Sequence, residues 1–191
     1  MSRRSDDDSA RAVDASRRQL LTWLWRLPVV AALAGVGYAL YEGYQMVFAR
    51  PRPNPNPSFA PVNPVEIGPL SNFEAVWDSQ EVLIDATPAV IIRLPEAVPG
   101  GLSANGQYYA GFSRICTHQG CVVQLNPNLE AVAIAFNHRS DAPVLTCQCH
   151  FSVFEARQAG RAVSGPAMQP LPRVQLKLRD GVLYAVGLER G

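Results

Sequence analysis

All four cysteines and two of the three histidines of this 191-residue chain fall within two short stretches, CTHQGC at 116–121 and CQCH at 147–150. No other feature restricts the fold so tightly. Soft donors gathered in two paired stretches call for a metal site, and that site requires the stretches to meet in space. Cys116, Cys121, Cys147 and Cys149 offer thiols, and His118 and His150 offer imidazoles. On residue types alone two partitions stay open. A structural zinc could take Cys116, His118, Cys147 and His150, or draw on the other thiols instead. A closed tetrahedral site leaves two cysteines over, and outside the cytoplasm such a pair can join as a disulfide. The partition that treats both stretches alike uses C-x-H and C-x-x-H and leaves Cys121 and Cys149 spare.

The surrounding residues read as short strands. FEAVW, EVLIDA and AVIIRL (73–77, 81–86 and 89–94) are apolar or alternating runs broken by Asp, Pro and Gly. QYYAGFSRI at 107–115 is another. In RVQLKLRDGVLYAVG (173–187), Val174, Leu176 and Leu178 alternate with polar residues before Asp180-Gly181 supplies a tight hairpin turn. SANGQ and DAPV read as turns, and FNHRSDAP as a polar insert in which His138 is a solvated loop residue. No amphipathic helix stands out beyond residue 65, so an all-β sandwich or barrel is expected over residues 65–191. No phosphate loop, triad, nucleotide fingerprint or internal repeat is found.

C-T-H-x-G-C followed by C-x-C-H-x-S resembles the Rieske iron–sulfur proteins, in the branch with a disulfide between the loops. The resemblance runs over about residues 105–172 and extends to the iron–sulfur subunit of cytochrome bc-type quinol–cytochrome c oxidoreductases. It implies a Rieske-type antiparallel β-sandwich with a small cluster-binding subdomain. It further implies that Cys116 and Cys147 bind one iron of a 2Fe–2S cluster, one cluster per subunit, while His118 and His150 bind the other. Cys121 and Cys149 form the disulfide by the same resemblance, and the Ser152 hydroxyl hydrogen-bonds a cluster sulfide. GPA at 165–167, with Pro170 and Pro172, resembles the proline loop that covers the cluster. Three positions depart from the family pattern: Gln119 replaces a usual leucine, Phe151 a glycine, and Phe154 a tyrosine that donates to a ligand sulfur. A lost donor leaves the reduced cluster less stabilised, so a midpoint potential below that of relatives with both donors is expected. Oxygenase-type Rieske domains lack the spare cysteines, so that branch is set aside.

The ligand types carry a chemical reason. Paired ferric ions, sulfides and thiolates sum to zero charge, whereas thiolates in place of both imidazoles leave the oxidised cluster at about minus two. Adding an electron to a neutral centre is easier, which raises the potential from about −400 mV to between about −150 and +300 mV. The exposed imidazole corresponding to His150 is, by the resemblance, the catalytic group that hydrogen-bonds a quinol and accepts its proton as the iron takes the electron.

The amino-terminal third has a different character. LPVVAALAGVGYALYEGYQMVF at 27–48 is long enough, at about 22 residues or roughly 33 Å of helix, to cross a bilayer. Trp23 and Trp25 flank one end, and Tyr38, Tyr41 and Tyr44 line the other. SRRQLLTWLWR ahead of it resembles a twin-arginine export signal, carried on Arg17 and Arg18. Residues 1–26 are therefore expected as a cytoplasmic tail and 27–48 as an uncleaved single-pass anchor, with the remainder on the outer face of the cell membrane. RPRPNPNPSFAPVNP at 50–64 has six prolines in fifteen positions and is expected as an extended, semi-rigid tether over 49–64, about 40 Å long. Lys plus Arg total 17 against 16 for Asp plus Glu, so no charge excess points to nucleic acid.

The expectation for function follows. The chain would be a membrane-anchored 2Fe–2S subunit that oxidises quinol, menaquinol or ubiquinol, and passes electrons to cytochrome c, with cytochrome b and cytochrome c type subunits as partners. An alternative is the small Rieske subunit of a molybdenum oxidoreductase such as arsenite oxidase.

Overall fold

The structure, a computed structural model, describes residues 23–44 and 49–190. The chain divides into two compact units at Ala49/Arg50. In the first, α1 (Trp23–Tyr44) is a 22-residue helix long and apolar enough to cross a membrane. It starts four residues ahead of the expected span, and residues 45–48 lie outside those described. Pro28 therefore sits past the first described turn, where its missing amide forfeits a helical bond. The twin-arginine-like residues Arg17 and Arg18 also lie outside the described residues.

The second unit is built on two antiparallel sheets. Its strands are β1 (Phe59–Pro69), β2 (Ser79–Ile84), β3 (Thr87–Leu94), β4 (Leu102–Ala104), β5 (Gln107–Ser113), β6 (Val123–Asn126), β7 (Val144–Cys147), β8 (Ser152–Glu155), β9 (Arg161–Ser164), β10 (Arg173–Arg179) and β11 (Val182–Glu189). The larger sheet runs β1-β11-β10-β5-β3-β2 with β4 paired to β5, and the smaller runs β6-β7-β8-β9. Three tight turns set the hairpins. Asp180-Gly181, Asn105-Gly106 and Asp85-Ala86 all have positive φ, the backbone that matches the right-handed twist of two joined strands. The first two match the expected turns. The third escapes a sequence reading because alanine is not a residue that favours positive φ.

Strands β3 and β5 are buried on both faces, which explains their nearly unbroken apolar character. Val90, Ile92, Ala110 and Phe112 face a core shared with Cys116, Leu145, Cys147 and Phe154 of the smaller sheet and its loops. Ala89, Ile91 and Tyr109, one residue out of phase, face a second core with Phe73, Val174, Leu176 and Leu183. This alternation joins the two sheets into one mostly antiparallel β unit, as expected.

Four local expectations change. FEAVW is not a strand: Phe73 caps a 3₁₀ turn (Leu70–Asn72) and Trp77 has φ 78°. Its apolar residues serve the core from a loop, with Phe73 only 1% exposed. Residues 59–64, expected in the tether, form the first half of β1 and pair with β11 from Phe59↔Glu189 onward. Proline is tolerated there because β1 is an edge strand, and Pro64 falls in a register break between Pro61 and Val65. A helix, α2 (Leu129–Phe136), occupies part of the segment between the two cysteine stretches. The side chain of Asn128 caps it by accepting from Ala131 N at 3.0 Å, and Val132 and Phe136, one turn apart, bury its inner face. Lastly, His138 is not a solvated side chain: it is 17% exposed, with Nε2 3.7 Å from Glu155 Oε1.

Candidate metal centre

Both cysteine stretches lie at one end of the smaller sheet, and strand register brings them together. Val123 pairs with Cys147, and Cys147 pairs in turn with Ser152, so residues 148–151 turn beside residues 116–121. The first loop is closed on itself. Cys116 N donates to Cys121 O at 2.8 Å, and Gly120 N donates to Cys116 O at 2.9 Å. Gly120 takes φ +77°, a conformation that glycine adopts without steric cost. A disulfide joins Cys121 to Cys149, one cysteine from each loop.

The remaining donors form two pairs. Cys116 and Cys147 are free, buried to 3% and 1% exposure, and lie in the same core. Burial pushes the Cys116 thiol up, and the Cys147 sulfur adds to that rise. Backbone amides of His118 and Gln119 donate to the Cys116 sulfur and pull the other way. The imidazoles of His118 and His150 meet edge to face, ring centres 4.8 Å apart. His118 is half-buried, and its Nδ1 is buried without a hydrogen-bond partner. His150 is exposed.

This donor set fits a two-iron cluster better than a single ion. Among the described residues, the sulfurs of Cys121, Cys147 and Cys149 form the one group of three or more potential donors within 4.8 Å of one another. Two of those three are joined as a disulfide and cannot ligate. Four ligands on one zinc would have to converge more closely than Cys116, His118, Cys147 and His150 do. A sulfur pair and an imidazole pair side by side suit a centre with two metal positions. The orphaned Nδ1 of His118 is a buried nitrogen without a hydrogen-bond partner, a gap that a metal would fill.

The shell around the donors is tightly made. Ser152 is fully buried, and its Oγ accepts from Ala167 N at 3.1 Å, leaving its own proton free to donate elsewhere. Thr117 Oγ1 donates to Gln169 O at 2.7 Å, tying the first loop to the segment that carries the GPA motif. Gly165 in that motif lies flat on the second loop. A Cβ there would sit 2.5 Å from both Phe151 O and Ser152 Cα, a distance no side chain can meet. Phe151 holds φ 59° although it is not glycine, so the backbone keeps the left-handed turn and bears its strain. Its ring is 53% exposed and packs edge-on against Phe136 of α2, 5.7 Å between centres. Phe154, fully buried, lies in the core shared with Cys116 and Cys147.

Sequence reasoning missed α2 and its contact with Phe151. The asparagine cap and Glu130 in the first turn were the available signals. It also missed Arg50, whose side chain reaches the Gly165 segment. Nothing local to RPRPNPNP marks one arginine as bound and another as free.

Comparison with known proteins agrees with the geometry. A family model described as "Rieske [2Fe-2S] domain" matches residues 65–175. The cytochrome bc1 complex Rieske iron-sulfur subunit of Corynebacterium diphtheriae is 35% identical over 83 residues, 43% of this chain and 17% of that protein. A putative respiratory nitrate reductase subunit Rieske of Haloferax mediterranei is 29% identical over 133 residues, 65% of this chain and 53% of that protein. The chain thus spans from about a sixth to about half of these relatives' lengths. Among solved structures, the soluble domain of Rieske protein II from Sulfolobus acidocaldarius aligns with TM-score 0.49 and 22% identity, over 66% of this chain and 78% of that one. On the strength of the matched domain, the chain belongs to the Rieske [2Fe-2S] family.

Proposed function

We propose that this chain is a membrane-anchored electron-transfer subunit that oxidises quinol and passes the electrons to cytochrome c within a cytochrome bc-type complex. The observation that carries the reading is an exposed His150 in ring contact with His118, on the same two loops that bury two free thiols in one core. In this reading Cys116 and Cys147 hold one iron, and His118, through its buried Nδ1, and His150 hold the other. When bound, the cluster supplies a one-electron acceptor whose potential is raised by its imidazole ligands.

The chain's own residues do the rest. His150 stands at the surface, where it hydrogen-bonds the hydroxyl of a quinol and receives its proton. Exposed Phe151 and Val122, at 53% and 52%, follow His150 and Cys121 in the two disulfide-joined loops and give an apolar rim suited to an apolar ring. Ser152 donates its free proton towards the cluster, and the disulfide keeps the two loops in register. Helix α1 anchors the subunit where quinol dissolves, with the residues ahead of it inside and the β unit on the outer face; residues 50–58, ahead of β1, lead into that unit.

Isolation from membranes in mild detergent tests the reading. Co-purifying b-type and c-type cytochromes, with the spectrum of a reduced Rieske centre, are the expected result. A second reading has its own support in the nitrate reductase relative, which covers more of this chain than the bc1 relative does. A molybdopterin subunit in place of the cytochromes would establish that reading, a small Rieske subunit of a molybdenum oxidoreductase, and overturn the first.

A further inference from the structure

The chain that leads into the β unit does not hang free of the centre. All three guanidinium nitrogens of Arg50 donate to backbone carbonyls of one segment: Nε to Ala167 at 3.3 Å, Nη1 to Val163 at 3.2 Å and Nη2 to Gly165 at 2.6 Å. Four residues on, Asn54 O accepts from Nη2 of Arg173 at 2.8 Å, so the arm is held at two points. Among the described residues no carboxylate lies within ion-pair reach of Arg50, and its guanidinium meets backbone carbonyls instead.

The gripped segment is the one that closes over the donors. Gly165 abuts Phe151 O and Ser152, the residues that follow His150. Ala167 donates to Ser152 Oγ and is buried in the same core as Cys116 and Cys147. Arg50 lies outside residues 65–175, the region that matches the family model.

We propose that Arg50 is a positioning residue of the metal centre. Its planar fork clasps residues 163–167 onto the 151–152 backbone. Its uncompensated positive charge favours the state with the added electron. The arm is then part of the redox site, and removal of the Arg50 charge lowers the midpoint potential. The inference rests on the reading that Cys116, Cys147, His118 and His150 hold the cluster, but it needs no quinol and no particular partner.

The test uses the full chain in detergent, as wild type, Arg50→Gln, Arg50→Lys and Arg52→Gln. Amide hydrogen exchange over residues 163–169 and the midpoint potential with its paramagnetic resonance spectrum are read on each. Arg50→Gln is expected to speed exchange of the Ala167 amide about tenfold or more, the equivalent of losing one to three net hydrogen bonds. The same variant should lower the potential and shift the spectrum. Arg50→Lys keeps the charge without the fork, so exchange rises while the potential stays nearer wild type. Arg52→Gln, which makes none of these bonds, should match wild type. If exchange in Arg50→Gln equals that in Arg52→Gln, the clasp is overturned. Faster exchange with spectrum and potential unmoved would make Arg50 a merely structural contact and overturn the positioning role. A wild type with no Rieske spectrum would instead strike the ligand reading, and the exchange comparison would still judge the clasp.

Discussion

The two sheets of the β unit are held by different forces. The larger sheet has long registers, three hairpins closed by positive-φ turns, and a core of its own under Ile91, Leu176 and Leu183. The smaller has strands of four residues each, and its far end is fixed by a disulfide, a serine hydroxyl, a glycine contact and the reach of Arg50. A sheet that buries apolar area tolerates small local change, because its energy is spread over many contacts. A site that needs exposed ligands cannot bury itself that way, so its order comes from a few directed bonds. The lesson is that order near the donors is concentrated in single residues, whereas stability resides in the larger sheet.

The strongest test of this contrast removes a thiol. Cys147→Ser should abolish cluster content, measured as iron per chain, while far-ultraviolet circular dichroism shows the larger sheet intact. Loss of the β signal together with the iron would mean that the two regions fold as one. Next in size is a paired substitution on a single strand. Ile91→Ala and Ile92→Ala both remove a fully buried side chain from β3, one facing each core. Each should cost about 2–5 kcal/mol in denaturant unfolding. Only Ile92→Ala, which shares its core with Cys116 and Cys147, should also hasten cluster loss from the folded protein. Equal lability in the two variants would erase the distinction between the cores.

A subtler probe is Phe154→Tyr, which adds a hydroxyl in the core shared with Cys116 and Cys147; voltammetry should show the midpoint rising. No upward shift would count against the expectation drawn from the missing donor. The smallest effect belongs to the larger sheet. Tyr109, 1% exposed, has its hydroxyl bonded to Gln107, and burial raises its pKa against the pull of Arg93. A folded pKa above the unfolded value of about 10 contributes stability that is complete below pH 10 and is lost as pH rises through the folded value. Tyr109→Phe should therefore be less stable by about 0.5–1.5 kcal/mol at pH 7. It should also lose less than wild type between pH 9 and pH 11, in urea titrations at each pH.

Much of the centre was legible beforehand because its chemistry is written in residue types at short spacing. Cys116, Cys121, Cys147, Cys149, His118 and His150 stand out by identity, and Asp180-Gly181 and Asn105-Gly106 announce their turns by backbone preference. Features set by remote partners were harder to read. Residues 59–64 look like a spacer until β11 offers them an edge, and Asp85-Ala86 turns because two paired strands compel it. Phe151 keeps a glycine-like backbone because residues on either side are already pinned, Cys149 by its disulfide and Ser152 by β8.

From residue identities and intervals alone came the donor chemistry, the β character, the apolar span and the family resemblance. Which thiols stay free beside each other, which histidine faces solvent, and which arginine of a proline-rich arm grips the centre emerged only from the folded chain. The physical reason is one of range: turns, ligand types and hydrophobic periods act within a few residues, whereas burial, strand register and a three-pronged clasp across more than a hundred residues exist only after the chain has closed on itself.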